Sequence, residues 1–477
     1  MTFIEVEGVK VDTRHWIGGR RIASDQTFSD FSPIDEAYLG DIAAGGETEV
    51  NAAVAAAREA FPAWAARTAP ERGAVLRRIA DGIEDRLEDL ARVETRDNGS
   101  LLRSHRRGVM PRVAMNFRFF ADYAERLRHP DMEVRGHRQK ITYDPAGVTA
   151  VITPWNAPLM LATWRIGPAL AAGNTVVLKP PEWAPLTASL LAEITHDAGL
   201  PAGVLNVVQG TGREAGAPLT RHPGINRLSF TGSVPTAGAV AAAAAPNIVP
   251  LSFELGGKSP LLVLEDADLD LAVRLAVEQF DNAGQVCLGA FRLIVHESLA
   301  TEFLDRLVTR AKALVQGDPR DERTDVSALI SRAHFDRVSG FVERAEARVV
   351  LGGGPNEELG GLYFRPTILV DPKPGSEIVT EEVFGPVLTM QTFATEDEGF
   401  AMANDTRFGL AATLVTADPS KAARLNAGTV WVNCFFVRDL GAPFGGNGRS
   451  GIGREGGTWS FDFYCDVKNT VIAPEEA

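Results

Sequence analysis

Residues 147–182 have the sequence GVTAVITPWNAPLMLATWRIGPALAAGNTVVLKPPE, in which two short β-branched runs flank a helical pattern. The runs are Gly147–Ile152 and Thr175–Leu178, and the helical pattern between them covers Thr163–Ala172. Strands that alternate with helices favour a parallel sheet, because each helix carries the chain back across a face of the sheet. This stretch therefore predicts a parallel α/β sheet covered by helices.

The same alternation extends from this stretch in both directions. Towards the C-terminus a second α/β series runs from near Leu261 to about residue 440. On the N-terminal side, residues 47–66 and 71–97 have helical spacing after a short β entry. We predict two α/β units behind a mostly helical region, with further helices at 186–198, 213–221, 269–280 and 300–315, and further strands at 204–208, 227–230, 251–254, 293–295, 349–351 and 429–432.

The composition excludes several classes of protein. The chain has 477 residues, of which 48 are Lys or Arg and 62 are Asp or Glu, so its net charge is −14. An acidic chain lacks the basic face that neutralises phosphates, which argues against nucleic-acid binding. Hydrophobic residues make up 45% and charged residues 23%, a balance typical of a globular protein and not of a disordered or fibrous one.

We expect neither a membrane protein nor a secreted one. Charges at Glu5 and Glu7 interrupt the apolar segment that a leader would need, and no run of about 18 apolar residues occurs. Cys287, Cys434 and Cys465 have no metal-ligand spacing, and three cysteines do not make a disulfide framework. The expectation is a cytoplasmic protein with reduced cysteines and no metal site.

Three turns that follow predicted strands are candidates for nucleotide binding. Residues 210–215, GTGREA, have the spacing of a dinucleotide fingerprint, but the usual acidic ribose partner is missing, and a tight turn is the alternative. Lys179 and Glu182 leave the carboxyl end of a strand, where open α/β sheets bind ligands. Glu182 can accept hydrogen bonds from ribose hydroxyls. The alternative is that Lys179 and Glu182 form a solvated charge pair. Ser233 either caps a helix or donates to a diphosphate.

Three other residues are candidates for catalysis. Cys287 lies between glycines that let a carbonyl approach its sulfur, although a lone cysteine is more often inert core. Glu254 ends an apolar strand, where burial can raise its pKa towards that of a general base. An ion pair with Lys258 is the alternative. Asn156 follows another strand and can donate to an oxyanion, or can simply form a turn.

These motifs, in this order, resemble the aldehyde dehydrogenase superfamily over nearly the whole chain. The motifs that carry the resemblance are Pro154-Trp155-Asn156, Lys179-Pro180-Pro181-Glu182, Phe230-Thr231-Gly232-Ser233, Glu254-Leu255-Gly256-Gly257-Lys258, Gly284-Gln285-Val286-Cys287, Glu381-Glu382-Val383-Phe384-Gly385-Pro386 and Pro443-Phe444-Gly445-Gly446.

The resemblance implies an α/β fold with two doubly wound α/β domains and a small β oligomerisation arm. Residues 1–126 and 147–256 would form the NAD-binding domain, and residues 257–440 the catalytic domain. Residues 127–146 and 462–477 would form the arm, with 441–461 as a return segment. Members of this superfamily are usually homodimers or homotetramers.

The resemblance also implies roles for individual residues. Cys287 would be the nucleophile, Glu254 the base that activates water, and Asn156, with the Cys287 backbone N–H, the oxyanion hole. Glu254 favours a hydrolytic enzyme over a CoA-acylating one, and Glu182 favours NAD over NADP because a 2′-phosphate would meet its negative charge. The residues expected to bind NAD are Thr153, Pro154, Trp155, Lys179, Glu182, Gly212, Gly216, Phe230, Gly232, Ser233, Leu255, Glu382 and Phe384.

For the substrate, the stretches 179–188, 281–288 and 432–440 resemble the hydroxymuconic and carboxymethyl-hydroxymuconic semialdehyde dehydrogenases of aromatic-compound catabolism. Two arginines near the expected tunnel can bind a substrate carboxylate, unless each forms a surface ion pair. Gly441 stands where the related loop carries a further Arg, which leaves aromatic or aliphatic aldehydes open. The residues expected to approach the substrate are Arg112, Trp164, Val286, Leu288, Phe436 and Arg438.

Three alternatives remain at this point. A broad-specificity dehydrogenase of apolar aldehydes would not need the arginines. A cofactor-independent thioesterase or esterase would use only Cys287 and Glu254, and NAD would leave its activity unchanged. A non-catalytic protein on the same scaffold would not need to keep Cys287, Glu254 and Asn156 together.

Overall fold

The computed structural model describes residues 2–128 and 130–474, so residues 129 and 475–477 of the predicted arm lie outside the described residues. The N-terminal strands are β1 Phe3–Val6, β2 Val9–Asp12, β3 His15–Ile17, β4 Arg20–Ile22, β5 Thr27–Phe31 and β6 Tyr38–Ala43. The helices that follow are α1 Glu47–Ala65, α2 Ala69–Asp85, α3 Leu87–Asn98, α4 Leu102–Ser104 and α5 Met110–Arg126, with a π-helical turn at His105–Val109.

The predicted helical segment 71–97 is two helices and not one. α2 begins with a capping box, in which Thr68 accepts from the Glu71 N–H and Glu71 bonds back to the backbone of Thr68. α2 and α3 meet at Arg86, whose φ of −105° and ψ of 17° lie outside the helical region. α3 ends at Gly99, which takes the left-handed conformation that glycine tolerates best.

The first large sheet contains β3 and β4 together with β9 Val148–Ile152, β10 Thr175–Lys179, β11 Leu205–Val207, β12 Arg227–Gly232, β13 Leu251–Leu255 and β21 Gly451–Ile452. Its strand order is β21-β13-β12-β9-β10-β11-β3-β4. Its strands β9 to β13 pair in parallel and form the predicted α/β unit, whereas β3 and β21 pair antiparallel towards its two edges. The elements of this unit are β7 Asp131–Val134, β8 His137–Pro145, β9 Val148–Ile152, α6 Pro158–Ala172, β10 Thr175–Lys179, α7 Leu186–Asp197, β11 Leu205–Val207, α8 Ala217–Arg221, β12 Arg227–Gly232, α9 Val234–Ala244 and β13 Leu251–Leu255, with β7 and β8 outside the sheet.

The second large sheet has the order β16-β17-β18-β15-β14-β19-β20 and is parallel except at β16. It therefore forms the predicted second α/β unit. Its elements, and those that complete the chain, are β14 Pro260–Val263, α10 Leu269–Val277, β15 Arg292–His296, α11 Glu297–Lys312, α12 Arg332–Glu343, β16 Arg348–Leu351, β17 Thr367–Val370, α13 Glu377–Thr380, β18 Val387–Phe393, α14 Glu396–Asn404, β19 Ala411–Val415, β20 Thr429–Val432, β21 Gly451–Ile452, α15 Gly457–Tyr464 and β22 Cys465–Ile472.

A separate antiparallel sheet joins the two segments predicted as an arm. Its order is β22-β8-β7, so the C-terminal strand pairs with a hairpin more than 300 residues earlier in the chain, as in the pair Lys468–Thr142. α15 ends at Tyr464, which places the predicted boundary at residue 462 inside a helix. Among the described residues, no helix is long and apolar enough to cross a membrane.

The register of the first sheet brings the candidate motifs together. Lys179 at the end of β10 lies opposite Ile152 at the end of β9, and Gly232 on β12 lies opposite Leu255 on β13. Because carboxyl ends of parallel strands meet at one edge, the turns after these four strands face the same space.

Candidate active site

An inner cavity of about 600 Å³ lies at this edge of the first sheet. It is lined by Cys287, Glu254 and Asn156 and also by Trp164 and Arg438. The structure thus brings the three catalytic candidates into one space with every residue that the sequence predicted for cofactor binding, namely Thr153, Pro154, Trp155, Lys179, Glu182, Gly212, Gly216, Phe230, Gly232, Ser233, Leu255, Glu382 and Phe384.

An outer cavity of about 510 Å³ adjoins the inner one and is lined by Arg112, Phe436, Trp164 and Arg438. Leu161, Trp164 and Arg438 line both cavities, so the two spaces meet at these side chains. Four of the six predicted substrate residues therefore lie where an aldehyde can approach Cys287.

Two predicted substrate residues lie elsewhere. Leu288 is 2% exposed and packs in a cluster with Leu410 and Trp431, and Val286 packs against the same cluster. Neither lines the inner or the outer cavity. Their role at the substrate stays a prediction, which draws no support from this packing.

The turn that presents Cys287 has an unusual backbone. Asn282, Ala283 and Gly284 have φ values of 50°, 52° and 69°, so three consecutive residues are left-handed. Such strain in residues other than glycine costs about 1–2 kcal/mol each and is often found at functional sites. Gly284 also has no room for a side chain, because a Cβ would lie 2.2 Å from the carbonyl oxygen of Gly385. The turn is thereby packed directly against the loop that carries Glu382.

The surroundings of Cys287 favour its neutral thiol over the thiolate at neutral pH. Its side chain is partly exposed, but burial of the sulfur, followed by the nearby charge of Glu382, raises the pKa of Cys287 to about 12. The thiolate is the nucleophilic form of cysteine. Attack on a carbonyl therefore requires a base to take the proton from the sulfur.

Glu254 is a buried carboxyl in the same cavity as Cys287. It is 5% exposed, and among the described residues both of its carboxyl oxygens are buried without a hydrogen-bond partner. Burial, followed by the neighbouring charge of Glu455, raises the pKa of Glu254 to about 8. Within the described chain the alternative ion pair with Lys258 does not form. The carboxyl of Glu254 is thus left for chemistry inside the cavity.

Asn156 is held on the turn of Cys287 by two hydrogen bonds. Its Nδ2 donates to the carbonyl of Gln285 at 2.9 Å, and its own carbonyl accepts from Nδ2 of Asn282 at 3.2 Å. A primary amide has two N–H donors, so a second N–H of Asn156 is available for an oxyanion.

The predicted nucleotide residues are built into the strand ends. The Lys179 side chain is 3% exposed and that of Glu182 is 37% exposed, and Nζ of Lys179 lies 2.8 Å from Oε2 of Glu182, so the pair is half-buried at the cavity. Ser233 caps α9 by accepting from the Thr236 N–H, and it also lines the inner cavity. Residues 210–215 form a tight strand-to-helix turn whose Gly212 reaches the cavity.

Glu382 is positioned by a backbone N–H at its carboxyl and by an arginine side chain at its loop. Its Oε1 accepts from the Gly257 N–H at 3.0 Å, and Arg337 donates to the carbonyls of Glu382 and Val383, each at 2.6 Å. Burial raises the pKa of Glu382 to about 7. Phe384 has a positive φ of 60°, and its ring lies edge-on to Trp155 with centroids 5.4 Å apart.

Sequence analysis did not identify several residues of the cavity wall. Arg165 is 1% exposed and pairs with Glu455 at 3.3 Å, and Trp164 Nε1 donates to the same carboxyl at 2.5 Å. His334 bonds to the carbonyl of Phe384 at 2.7 Å. Arg165 could have been found from the sequence, because it is a charged residue in the otherwise apolar helix α6. No sequence feature marked Glu455 or His334 as part of the cavity wall.

The residues present fit a dinucleotide. Among the described residues, the hydroxyl oxygens of Thr153 and Thr231 are buried at the cavity without a hydrogen-bond partner. Buried polar groups are normally satisfied, so these two point to a polar ligand. The Glu382 carboxyl occupies the space beside Gly256, where a Cβ would lie 1.9 Å from Oε2 of Glu382. Glu382 and Glu182 can then accept bonds from ribose hydroxyls.

A model of the aldehyde dehydrogenase family matches residues 21–470. The chain belongs to the aldehyde dehydrogenase family. The 2-hydroxymuconic semialdehyde dehydrogenase of Pseudomonas sp. (strain CF600) is 43% identical, covering 97% of this chain and 99% of that one. The 2-aminomuconic semialdehyde dehydrogenase of Mus musculus is 40% identical, covering 96% of this chain and 97% of that one. The structure is also similar to betaine aldehyde dehydrogenase from Staphylococcus aureus in complex with NAD+, with a TM-score of 0.95, 34% identity, and 98% and 96% of the two chains covered.

The protein is therefore an NAD-dependent aldehyde dehydrogenase, and the predictions of family, fold class, activity and cofactor are confirmed. The structure places the thiol of Cys287, the carboxyl of Glu254 and the amide of Asn156 around one cavity. In the part of the chain that the structure describes, no group of three His, Cys, Asp or Glu residues could hold a metal ion.

Proposed function

We propose that this aldehyde dehydrogenase oxidises a semialdehyde whose far carboxylate binds Arg112 at the outer end of the channel, with Arg438 nearer to Cys287, and that the hydride passes to bound NAD. The observation that carries the proposal is that two guanidinium groups of the outer cavity have no ion-pair partner among the described residues. The names of the relatives from Pseudomonas and mouse support it, because both include a muconic semialdehyde.

The two arginines are held by aromatic rings and not by carboxylates. The guanidinium carbons of Arg112 and Arg438 lie 5.6 Å and 5.5 Å from the ring centroid of Trp164. Among the described residues neither arginine has an ion-pair partner, which argues against the surface ion pairs considered as alternatives. Burial, followed by the charge of Arg438, lowers the pKa of Arg112 to about 10. An anionic ligand would relieve this repulsion.

The first half of the reaction forms a bond to the protein. The Glu254 carboxylate takes the proton from the Cys287 sulfur, and the sulfur attacks the aldehyde carbon. The carbonyl electrons move to oxygen, and the resulting oxyanion accepts bonds from Nδ2 of Asn156 and the Cys287 N–H. A preorganised donor of this kind contributes about 3–4 kcal/mol. Bound NAD supplies the hydride acceptor, and the carbon that loses hydride remains on Cys287 as a thioester.

The second half releases the acid. Once its own proton has passed to solvent, the Glu254 carboxylate removes a proton from water as the water attacks the thioester. The Cys287 sulfur leaves with the bond electrons and is reprotonated, and the product is a carboxylic acid. The same oxyanion donors serve both attacks, because the carbonyl carbon stays bound to the same sulfur.

A second candidate substrate is an apolar aldehyde. The outer cavity is also lined by Val109, Met160, Leu161 and Phe436, which can hold an aliphatic chain or an aromatic ring. Gly441 lacks the additional Arg of related loops and is consistent with this alternative. A cofactor-independent esterase is disfavoured, because it would not need the residues that line the nucleotide part of the inner cavity.

The test is NADH formation with hydroxymuconic semialdehyde, succinic semialdehyde, benzaldehyde and hexanal. The wild type should prefer the first two. Arg112→Gln should raise their KM roughly tenfold to hundredfold, since a hydrogen bond to a charged group is worth about 1.5–3 kcal/mol. Arg107→Gln, which removes an equal charge from the exposed rim of the same cavity, is the matched control. Equal turnover of benzaldehyde or hexanal by the wild type would exclude the arginine-anchored substrate.

We also propose the finer points of the organisation. The bounds predicted for the NAD-binding domain, the catalytic domain and the arm are kept, with the C-terminal part of the arm starting at the strand β22.

The exposed side chains of the sheet β22-β8-β7, such as Val467 and Val471, favour a homodimer or homotetramer. The cytoplasm is the proposed location. Sedimentation of the full-length chain, with and without Val467→Lys, tests the assembly.

A further inference from the structure

Two acidic and two basic described side chains act electrostatically on Cys287, and one of the two basic ones already has an ion-pair partner. Glu382 and Glu254 raise the pKa of the thiol, whereas Arg438 and Arg165 lower it. Arg165 is already paired with Glu455 at 3.3 Å. Its charge is largely compensated by that carboxylate.

Arg438 is fixed in place without being neutralised. Its guanidinium carbon lies 3.6 Å from the ring centroid of Phe444 and 5.5 Å from that of Trp164, so two aromatic rings hold the group. Within the described residues it has no ion-pair partner. It lines the inner cavity together with Cys287 and Glu254. A positive charge is thus held at the reacting end of the site.

Arg112 differs in position although it stacks on the same tryptophan. It lines only the outer cavity, and the charges that act on it are those of Arg438 and Asp439 and not that of Cys287. Its Nε donates to Oδ1 of Asn116 at 3.2 Å. The two arginines therefore serve different ends of the substrate channel.

We propose that Arg438 is a positioning residue for the nucleophile. The positive charge of Arg438 stabilises the Cys287 thiolate while the thiolate attacks the aldehyde. In this step the proton leaves Sγ for the carboxylate of Glu254, and the electron pair that remains on sulfur forms the bond to carbon. Glu254 is uncharged once it holds that proton, so the charge of Arg438 then offsets the remaining carboxylate, Glu382. The inference rests on Cys287 as the nucleophile in the proposed function but not on which aldehyde is oxidised.

The test is the rate of alkylation of Cys287 by iodoacetamide as a function of pH, in full-length enzyme without aldehyde. Iodoacetamide is neutral, so loss of an arginine does not change its electrostatic attraction. Mass spectrometry of the Cys287 peptide separates this reaction from labelling of Cys434 and Cys465. Arg438→Gln should shift the pH profile upward by about one pH unit and slow alkylation below the midpoint about tenfold.

The comparison variants separate charge from packing. Arg438→Lys keeps the charge and should stay close to the wild-type profile, even if its KM for a carboxylated aldehyde rises. Arg112→Gln should leave the profile in place while raising that KM. Arg438→Met, which retains an apolar stem between the rings, replaces the Gln variant if the latter does not fold.

Three results would overturn the inference. The profile of Arg438→Gln or Arg438→Met could coincide with that of the wild type. The Lys variant could shift as far as the Gln variant, which would indicate packing alone. Arg112→Gln could shift the profile equally, which would indicate a general field. None of these results bears on the semialdehyde proposal, which depends on KM and not on alkylation.

Discussion

The buried carboxyl of Glu254 makes turnover depend on pH near 8. Burial and the charge of Glu455 raise its pKa from 4.5 to about 8, so the folded protein holds this proton well above the ordinary range of a glutamate. At pH 7 only about 9% of the molecules then carry the ionised base, against about 91% at pH 9. A rate that requires the carboxylate should therefore rise about tenfold over this interval.

The assay is steady-state NADH formation at saturating NAD and aldehyde, from about pH 6 to about pH 10 at constant ionic strength. Glu254→Gln cannot ionise, so it should lose the rise and lower turnover by roughly 10²–10⁴-fold, the usual contribution of a general base. Glu382→Gln is the control for the other buried carboxyl, and should raise the KM for NAD without moving the midpoint. A midpoint near that of an ordinary glutamate, or a rise that persists in Glu254→Gln, would refute the assignment.

Three further predictions concern other residues of the site. Asn156→Ala should lower kcat by about 10²–10³-fold with a smaller change in KM, because an oxyanion donor acts on the transition state. A higher KM with an unchanged kcat would contradict this role. Glu182→Gln should raise the ratio of kcat/KM for NADP to that for NAD, since the repulsion of a 2′-phosphate is removed, and an unchanged ratio would place the ribose elsewhere. Gly284→Ala should lower the free energy of unfolding by about 1–3 kcal/mol in urea, because its φ is 69° and a Cβ would lie 2.2 Å from a carbonyl oxygen. Gly108→Ala, which meets no atom within 4 Å, is the matched control and should unfold like the wild type.

Residues at strand ends could be located from the sequence because the geometry of a parallel sheet is restrictive. Lys179 and Glu182 follow a β-branched run, and so do Thr153 and Asn156. Once the strands pair in parallel, their carboxyl ends meet at one edge, and the turns that follow must converge. The resemblance of ordered motifs then supplied the roles that strand periodicity alone does not contain.

Residues beside Cys287 show the limit of this reasoning. Val286 and Leu288 are adjacent to the nucleophile, but adjacency does not specify direction, and their side chains pack into the core. The turn that leads to them has left-handed conformations at Asn282 and Ala283. Asparagine visits this region more readily than most residues, but alanine does not, so no local preference predicted the turn.

The sequence by itself determined the α/β class, the motifs at the strand ends and the acidic, cysteine-poor character of the chain. These properties depend on local periodicity and composition, which short stretches contain. Only the tertiary structure decided that Glu455 pairs with Arg165, and that Arg438 lies against the rings of Phe444 and Trp164 with no ion-pair partner among the described residues. Such pairings join residues as much as 290 positions apart. Their energies come from burial and charge in three dimensions, which no local pattern encodes.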